Sequence, residues 1–238
     1  DPGVNRHDAV AWGYARAADA LGVEMHQNTA VTSLLRANKG EIRGVETVKG
    51  TVKAKKVVVA VSGHTTTITE TASLRLPLRT MNLTAFVSEP IKPIVDVIVN
   101  CSDLGFYFSQ SDKGELVIGG APDSAQSFRR DIKQHVFEDT VGAMLELFPS
   151  FKNLKLLRQW GGHLDITPDA SPIMDETDVP GLFVTAGWWG GYKAIPAGGL
   201  TMAYHVATNS PHPLMKAFSY NRFKNLDYIL ETGTTTAR

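Results

Sequence analysis

The stretch TAGWWGGYKAIPAGG, residues 185–199, sets five glycines, two tryptophans, one tyrosine and one lysine between a strand-like run and a helix-like run. A strand that ends in glycines and feeds a helix N-terminus turns free N–H groups and the positive end of the helix dipole towards one spot, which favours negative charge there. Lys193 adds a full positive charge. The spacing is not the phosphate loop G-x-x-x-x-G-K-[ST]: Ala194 follows the lysine and no Ser or Thr is placed to hold magnesium, so nucleotide hydrolysis is disfavoured. Gly187, Gly190 and Gly191 instead let backbone lie against a flat ring, with Trp189, Tyr192 and Ile195 beside it and the following helix stabilising charge delocalised over that ring. An ordinary glycine-rich turn over core tryptophans satisfies the same spacing.

The elements that would position this loop are legible as periodicity. Residues 5–22 read as a helix, with Asn5 and Asp8 at capping-box spacing, Val10, Ala11, Tyr14, Ala17, Ala18 and Leu21 on one face, and Gly22 at the C-terminal turn. His7 falls on that face in the first turn, which is expected to be buried. Thr29–Leu35, Ile42–Val48, Gly50–Val52 and Val57–Val61 read as strands separated by turns at Asn38-Lys39-Gly40 and Lys49-Gly50. KKVVVAVSG lacks alternation, predicting a fully buried strand that stops at Ser62-Gly63, where backbone can approach a ligand. Further strands are predicted at Met81–Ser88, Val95–Val99, Phe106–Ser109, Leu116–Gly119 and Leu154–Gln159, with an amphipathic helix near Asp131–Leu147. ITPDASPIMDETDVPG reads as a proline-punctuated loop, Leu182–Ala186 as a short buried strand, and Pro196 as the opening of a helix to about Ala207. The tail ETGTTTAR is expected to fray.

Composition narrows the function class. A chain of 238 residues that is 43% apolar can bury a core, and 24 basic against 24 acidic residues leave no field to hold nucleic acid or an anionic membrane surface. No apolar run approaches the length of a membrane span, and DPGVNRHD has no signal-peptide pattern. A single cysteine, Cys101, excludes an internal disulfide and any Cys-based zinc site and suits a reducing compartment, so a cytoplasmic location is expected. His26, His64, His135, His205 and His212 show no metal-ligand spacing.

GLFVTAGWWGGYKAIPAGG, with RQWGGHLDITPDASPIMD before it and FSYNRF after it, resembles the C-terminal part of the D-amino-acid oxidase and sarcosine oxidase group of flavoproteins. NRHDAVAWGYARAADALGVEMHQNTAV is similar, more narrowly, to the β subunits of bacterial heterotetrameric sarcosine oxidases. The resemblance covers nearly all of residues 5–225. It implies FAD-dependent oxidation of a secondary amino acid: sarcosine to an imine, then glycine and a one-carbon unit, with oxygen reduced to hydrogen peroxide. It further implies a second flavin, FMN, and assembly with α, γ and δ subunits, the α subunit handling tetrahydrofolate and a dinucleotide.

By the same resemblance Lys193 matches the lysine that binds the substrate carboxylate or supports the flavin, which agrees with the attraction of an ammonium for a carboxylate in an apolar pocket. An exposed loop lysine is the plainer alternative. His7 matches the histidine that carries covalent FMN; a helix N-terminus biases imidazole towards the neutral, nucleophilic form. No cysteine stands in GGHLDITPD, where single-chain relatives link their flavin, so FAD is expected to be held without a covalent bond. Val31 matches a backbone position near the adenine end of FAD, and Ser62 and Gly63 a strand end beside its pyrophosphate and ribose. Tyr107 and His163 are candidates for lining the substrate pocket, with ordinary structural roles as the alternative.

One departure stands out. Family members open with a strand, G-x-G-x-x-G and a helix, and this sequence has no such segment; Gly119-Gly120 and Gly198-Gly199 lie in the wrong context. The expectation is a fragment of a longer subunit, the alternative a relative that has lost tight FAD binding. The expected fold is α/β: an incomplete glutathione-reductase-like FAD-binding domain over 1–64 and 165–238, with an antiparallel-sheet substrate domain inserted at 65–164. A related amine or imino-acid dehydrogenase, or a non-catalytic fragment that docks partner chains, are the competing readings.

Overall fold

In a computed structural model, residues 5–38, 40–123, 125–131 and 133–229 are described. Lys39 of the expected turn, Ile132 of the expected helix and the tail 231–238 lie outside them. The chain forms two compact units, one of residues 1–29, 83–122 and 131–161, the other of 30–82, 123–130 and 162–238. These bounds differ from the division at 64 and 165 expected from the sequence: residues 65–82, 123–130 and 162–164 group with the second unit, and residues up to 29 group with the first.

The first unit begins with α1 (His7–Ala20), which ends in a Schellman turn, Val23 N–H bonding Ala18 O and Gly22 N–H bonding Asp19 O at φ 83°. Two expectations are corrected here. Arg6, not Asn5, occupies the cap position and makes no side-chain cap bond, and α1 buries no residue, so His7 is exposed and Trp12 and Tyr14 are each 57% exposed. Periodicity found the helix, but no described element covers its apolar face. The rest of this unit is a sheet in the order β6 (Val99–Cys101), β7 (Phe106–Gln110), β8 (Glu115–Gly120), β5 (Arg79–Pro90), β9 (Leu156–Ile166), antiparallel at β6–β7, β7–β8 and β8–β5. Strands β5 and β9 continue into the second unit. Phe86, Phe106, Phe108, Leu116 and Ile118 pack with Met144 of α3 (Gln134–Leu147) into one core.

The strand expected at Val95–Val99 starts only at Val99. The Gln110 carboxamide accepts from the N–H groups of Ile94 and Val95 (2.8 and 3.2 Å) and donates to Lys92 O and Gly114 O (3.1 and 2.9 Å). A side chain thus satisfies backbone groups that a sheet ladder would otherwise take.

The second unit holds a meander, β1 (Val31–Arg36), β2 (Ile42–Thr47) and β3 (Gly50–Lys53), and a mixed sheet in the order β10 (Ile173–Glu176), β11 (Leu182–Ala186), β4 (Val57–Val59). Strand β4 runs parallel to β11, Val58 opposite Phe183, while β10 is antiparallel to it. The stretch expected to be a buried strand to Val61 is shorter and less covered: Val58 is 39% and Val61 46% exposed, because β4 pairs on one side only among the described residues. Besides the 3₁₀ turns, three elements escaped the sequence reading: α2 (Thr65–Glu70), the short α5 (Arg222–Asn225), and β10, which lies within the supposed loop with Ile173 and Met174 buried. Helix α4 (Ile195–Thr208) carries Pro196 in its first turn, where no N–H is required.

Candidate functional site

Parallel strands that end on the same side offer ligands a crevice at their carboxyl ends. Here those ends are Ser62-Gly63 after β4 and Gly187 after β11. The first is a tight turn: His64 N–H bonds Ser62 O at 2.6 Å, with Ser62 at φ 21° and Gly63 at φ 65°. A serine at positive φ is held, not relaxed, and the holding groups are buried. Thr80 Oγ1 donates to Gly63 O at 3.0 Å, and the fully buried Asp165 carboxylate accepts from Thr65 Oγ1 at 2.6 Å, from Thr80 Oγ1 at 3.4 Å and from the Gly63 N–H.

Strand β9 brings His163 and Asp165 to this turn on one face, two positions apart. A Cβ on Gly63 would fall on the Cβ of His163, so glycine is required by that approach as well as by its φ. His163 Nε2 is buried and without a hydrogen-bond partner among the described residues. Its ring meets His64 edge-on at 5.2 Å and Phe128 at 6.3 Å, while His64 stacks on Phe128 at 5.7 Å. Burial pushes the Asp165 carboxyl above its usual range, against the hydrogen bonds from Thr65, Gly63 and Thr80 and the nearby His64.

Of the loop at 185–199, Trp188, Tyr192 and Ile195 share the wall of one cavity of ≈ 740 Å³ with Val58, Ser62 and Met202, between the open side of β4–β11 and α4. That volume suits a small organic ligand. No Lys or Arg lines it, so the lining fits a flat uncharged ring and offers nothing to balance a diphosphate. Lys193 is exposed at the end of a single 3₁₀ turn and makes no hydrogen bond or ion pair among the described residues. Trp189 is half-buried, its N–H bonding Gly187 O at 2.9 Å.

The glycines of this loop have internal partners. Cβ atoms at Gly191 and Gly198 would sit 2.7 and 2.5 Å from the Trp188 indole, whose Nε1 donates to Thr185 Oγ1 at 2.9 Å. A Cβ at Gly187 would meet Thr167 Cγ2 at 2.6 Å, whereas Gly190, at φ 60°, faces open space. The flat ring against Gly191 is thus the protein's own tryptophan.

Val31 lies on the meander, 37% exposed, and does not line the cavity. Tyr107 belongs to the other unit, on β7, and burial pushes its phenol above the ordinary value. The structure therefore gathers Ser62, Gly63 and His163 at one turn and Ser62, Tyr192 and Ile195 at one cavity, and leaves His7, Val31 and Lys193 exposed. Sequence reasoning missed His64, Thr65, Thr80, Phe128 and Asp165; only the His163-x-Asp165 alternation on one strand face signalled any of them.

The family described as DAO, FAD dependent oxidoreductase, matches residues 1–205. The chain is similar to sarcosine oxidase subunit beta of Rhodobacter capsulatus, 46% identical over 231 residues, which is 97% of this chain and 55% of that protein. It is 42% identical to sarcosine oxidase subunit beta of Rhizobium meliloti over 232 residues, 97% of this chain and 56% of that one. The chain thus spans about half the length of these relatives. Among solved structures it resembles L-proline dehydrogenase from P. horikoshii, with TM-score 0.83 at 22% identity over 92% of this chain and 60% of that one. Glycine oxidase from Geobacillus kaustophilus gives TM-score 0.76 at 21% identity, over 89% and 57%. At these identities the structural likeness speaks for the fold.

Proposed function

Since the chain belongs to the family of FAD dependent oxidoreductases, we propose that it acts as the β subunit of a multisubunit, cytoplasmic flavin oxidase of sarcosine or a similar N-methyl amino acid. The observation that carries this reading is the 46% identity over 97% of the chain to a sarcosine oxidase subunit beta. Partner α, γ and δ subunits, with tetrahydrofolate on the α subunit, belong to the same reading, as does the division into an FAD-binding part, 1–64 with 165–238, and a substrate part, 65–164. The uncovered apolar residues of α1 and the open side of β4 support assembly with further polypeptide.

Oxidation removes a hydride from the N-methyl carbon and a proton from nitrogen, giving an imine; water adds and releases glycine and a one-carbon unit. When bound, FAD supplies the two-electron acceptor and FMN on His7 a route for electrons to oxygen, which leaves as hydrogen peroxide. In this chain Tyr192, Ile195, Trp189 and the backbone at Ser62 and Gly190 would hold the non-covalent FAD, with Val31 towards its adenine end, while the bare sides of Gly63, Gly187 and Gly191 are taken by His163, Thr167 and Trp188. Lys193 binds the substrate carboxylate, Tyr107 offers its phenol as a donor, and His163, whose buried Nε2 has no hydrogen-bond partner among the described residues, lines the substrate pocket.

The test is anaerobic mixing of the full assembly with sarcosine. Bleaching of the flavin absorbance, followed by peroxide on admitting air, is expected. Dye reduction without peroxide would move the assignment to a dehydrogenase, and an unbleached flavin would remove the activity altogether.

A further inference from the structure

Strand β8 ends in two glycines that face opposite ways. Gly120 shares the side of Leu116 and Ile118, towards the core, and a Cβ there would fall on Thr140 Oγ1 of α3. Gly119 faces the other side, where its cross-strand neighbours are Tyr107 on β7 and Ala85 on β5. A Cβ on Gly119 would fall inside the Tyr107 ring, against Cζ, Oη and Cε1. The far end of the ring thus lies down over Gly119, which is why a glycine on the side away from the core is itself buried.

Backbone conformation does not call for glycine here, since Gly119 is not among the residues at positive φ. What calls for it is the ring. Tyr107 is 37% exposed, its hydroxyl has no hydrogen bond among the described residues, and burial holds the phenol protonated to higher pH than usual. A flat phenol without a partner, on the uncovered face of a rigid sheet, is a neutral donor aimed at something other than the protein.

We infer that Gly119 is a positioning residue: by carrying no side chain it lets Tyr107 lie across β8 and present its hydroxyl to an acceptor on a small bound amino acid. This rests on the reading of Tyr107 as a substrate contact. The adjacent Gly120 supplies the control, because it answers to α3 and not to the ring.

The experiment compares Gly119→Ala, Gly120→Ala and Tyr107→Phe in the full-length flavoenzyme. The Tyr107 titration is isolated by difference absorbance against Tyr107→Phe. In Gly119→Ala the ring is lifted into solvent at little cost, as only the movable end of a side chain must give. The phenol pKa should fall towards the ordinary tyrosine value, Tm should hold, and KM for sarcosine should rise several-fold, more than kcat falls. In a Tyr107→Phe background Gly119→Ala should raise KM no further. Gly120→Ala should lower Tm and leave the Tyr107 titration unmoved. An unmoved titration in Gly119→Ala overturns the positioning role; a moved titration with unchanged KM overturns the contact between Tyr107 and substrate.

Discussion

Arg222 grips Asp169 with two parallel bonds, Nε to Oδ2 at 2.7 Å and Nη2 to Oδ1 at 3.0 Å, with the two side chains 4% and 0% exposed. The same carboxylate accepts from Ile229 N–H, Ser171 N–H and Thr167 Oγ1, and the guanidinium also donates to Ser171 O and Ser219 O. The pair ties the TPDASP turn, which follows β9, to the short α5 (Arg222–Asn225). Four of the five guanidinium N–H groups and both carboxylate oxygens have partners, and such satisfaction is the condition for a buried ion pair to be tolerated.

Removing one partner leaves a buried charge. Arg222→Ala is expected to cost about 3–5 kcal/mol, read as a lower denaturant midpoint at constant slope. Burial pushes the Asp169 carboxyl up, but the Arg222 bonds, the Ile229 and Ser171 N–H groups and the guanidinium charge outweigh it and hold its pKa down. A depressed carboxyl stabilises the fold above its unfolded value, about 3.9, and the contribution is lost as pH falls through the folded value. The wild type should therefore lose more stability in acid, below about pH 4, than Asp169→Asn; parallel acid profiles would refute the clamp.

Asp165 runs the other way. Its raised pKa means the fold favours the protonated carboxyl, so this group's contribution is full below the unfolded value and declines as pH rises through the folded one. Asp165→Asn, neutral at every pH, should flatten that decline. Asp165→Ala strands Thr65 Oγ1 and the Gly63 N–H, while Thr80 Oγ1 keeps its bond to Gly63 O, and should cost at least about 1–3 kcal/mol. Chemical denaturation from pH 4 to 8 decides: an unchanged slope in Asp165→Asn would count against a titrating Asp165.

Lys193→Ala in the full-length enzyme is expected to raise KM for sarcosine about tenfold, worth about 1.4 kcal/mol, with kcat changed less, as befits a group that holds the substrate carboxylate before and during reaction. The exposed ammonium has no partner among the described residues to compete with substrate. Steady-state kinetics identical to the wild type would remove Lys193 from the site.

His7→Ala should abolish flavin colour that survives acid precipitation while leaving extractable FAD in place. The exposed first-turn ring is open to a flavin methyl carbon. Absorbance of the acid pellet is the measurement, and a yellow pellet from the variant would relocate the attachment.

What the order of residues settled on its own was local. The run Leu182–Ala186 became a strand with those bounds because Gly181 and Gly187, both at positive φ, interrupt the pleat on either side. The helix near Asp131–Leu147 begins at Gln134 and ends as expected, since its apolar residues recur at the helical period. Of the loop glycines expected to lie against a flat ring, Gly191 meets one, Gly187 meets Thr167 and Gly190 faces open space. That Trp188 is the ring against Gly191, and that Tyr107 is the ring over Gly119, belongs to the tertiary structure, since a missing Cβ records an approach without recording its source. The same limit hid the group around Asp165. Thr65 reaches that carboxylate across 100 positions and Thr80 across 85, through strand ends that only sheet pairing brings together. Local periodicity carries which face of an element is apolar; which distant element meets that face is decided by packing, as the uncovered face of α1 also records.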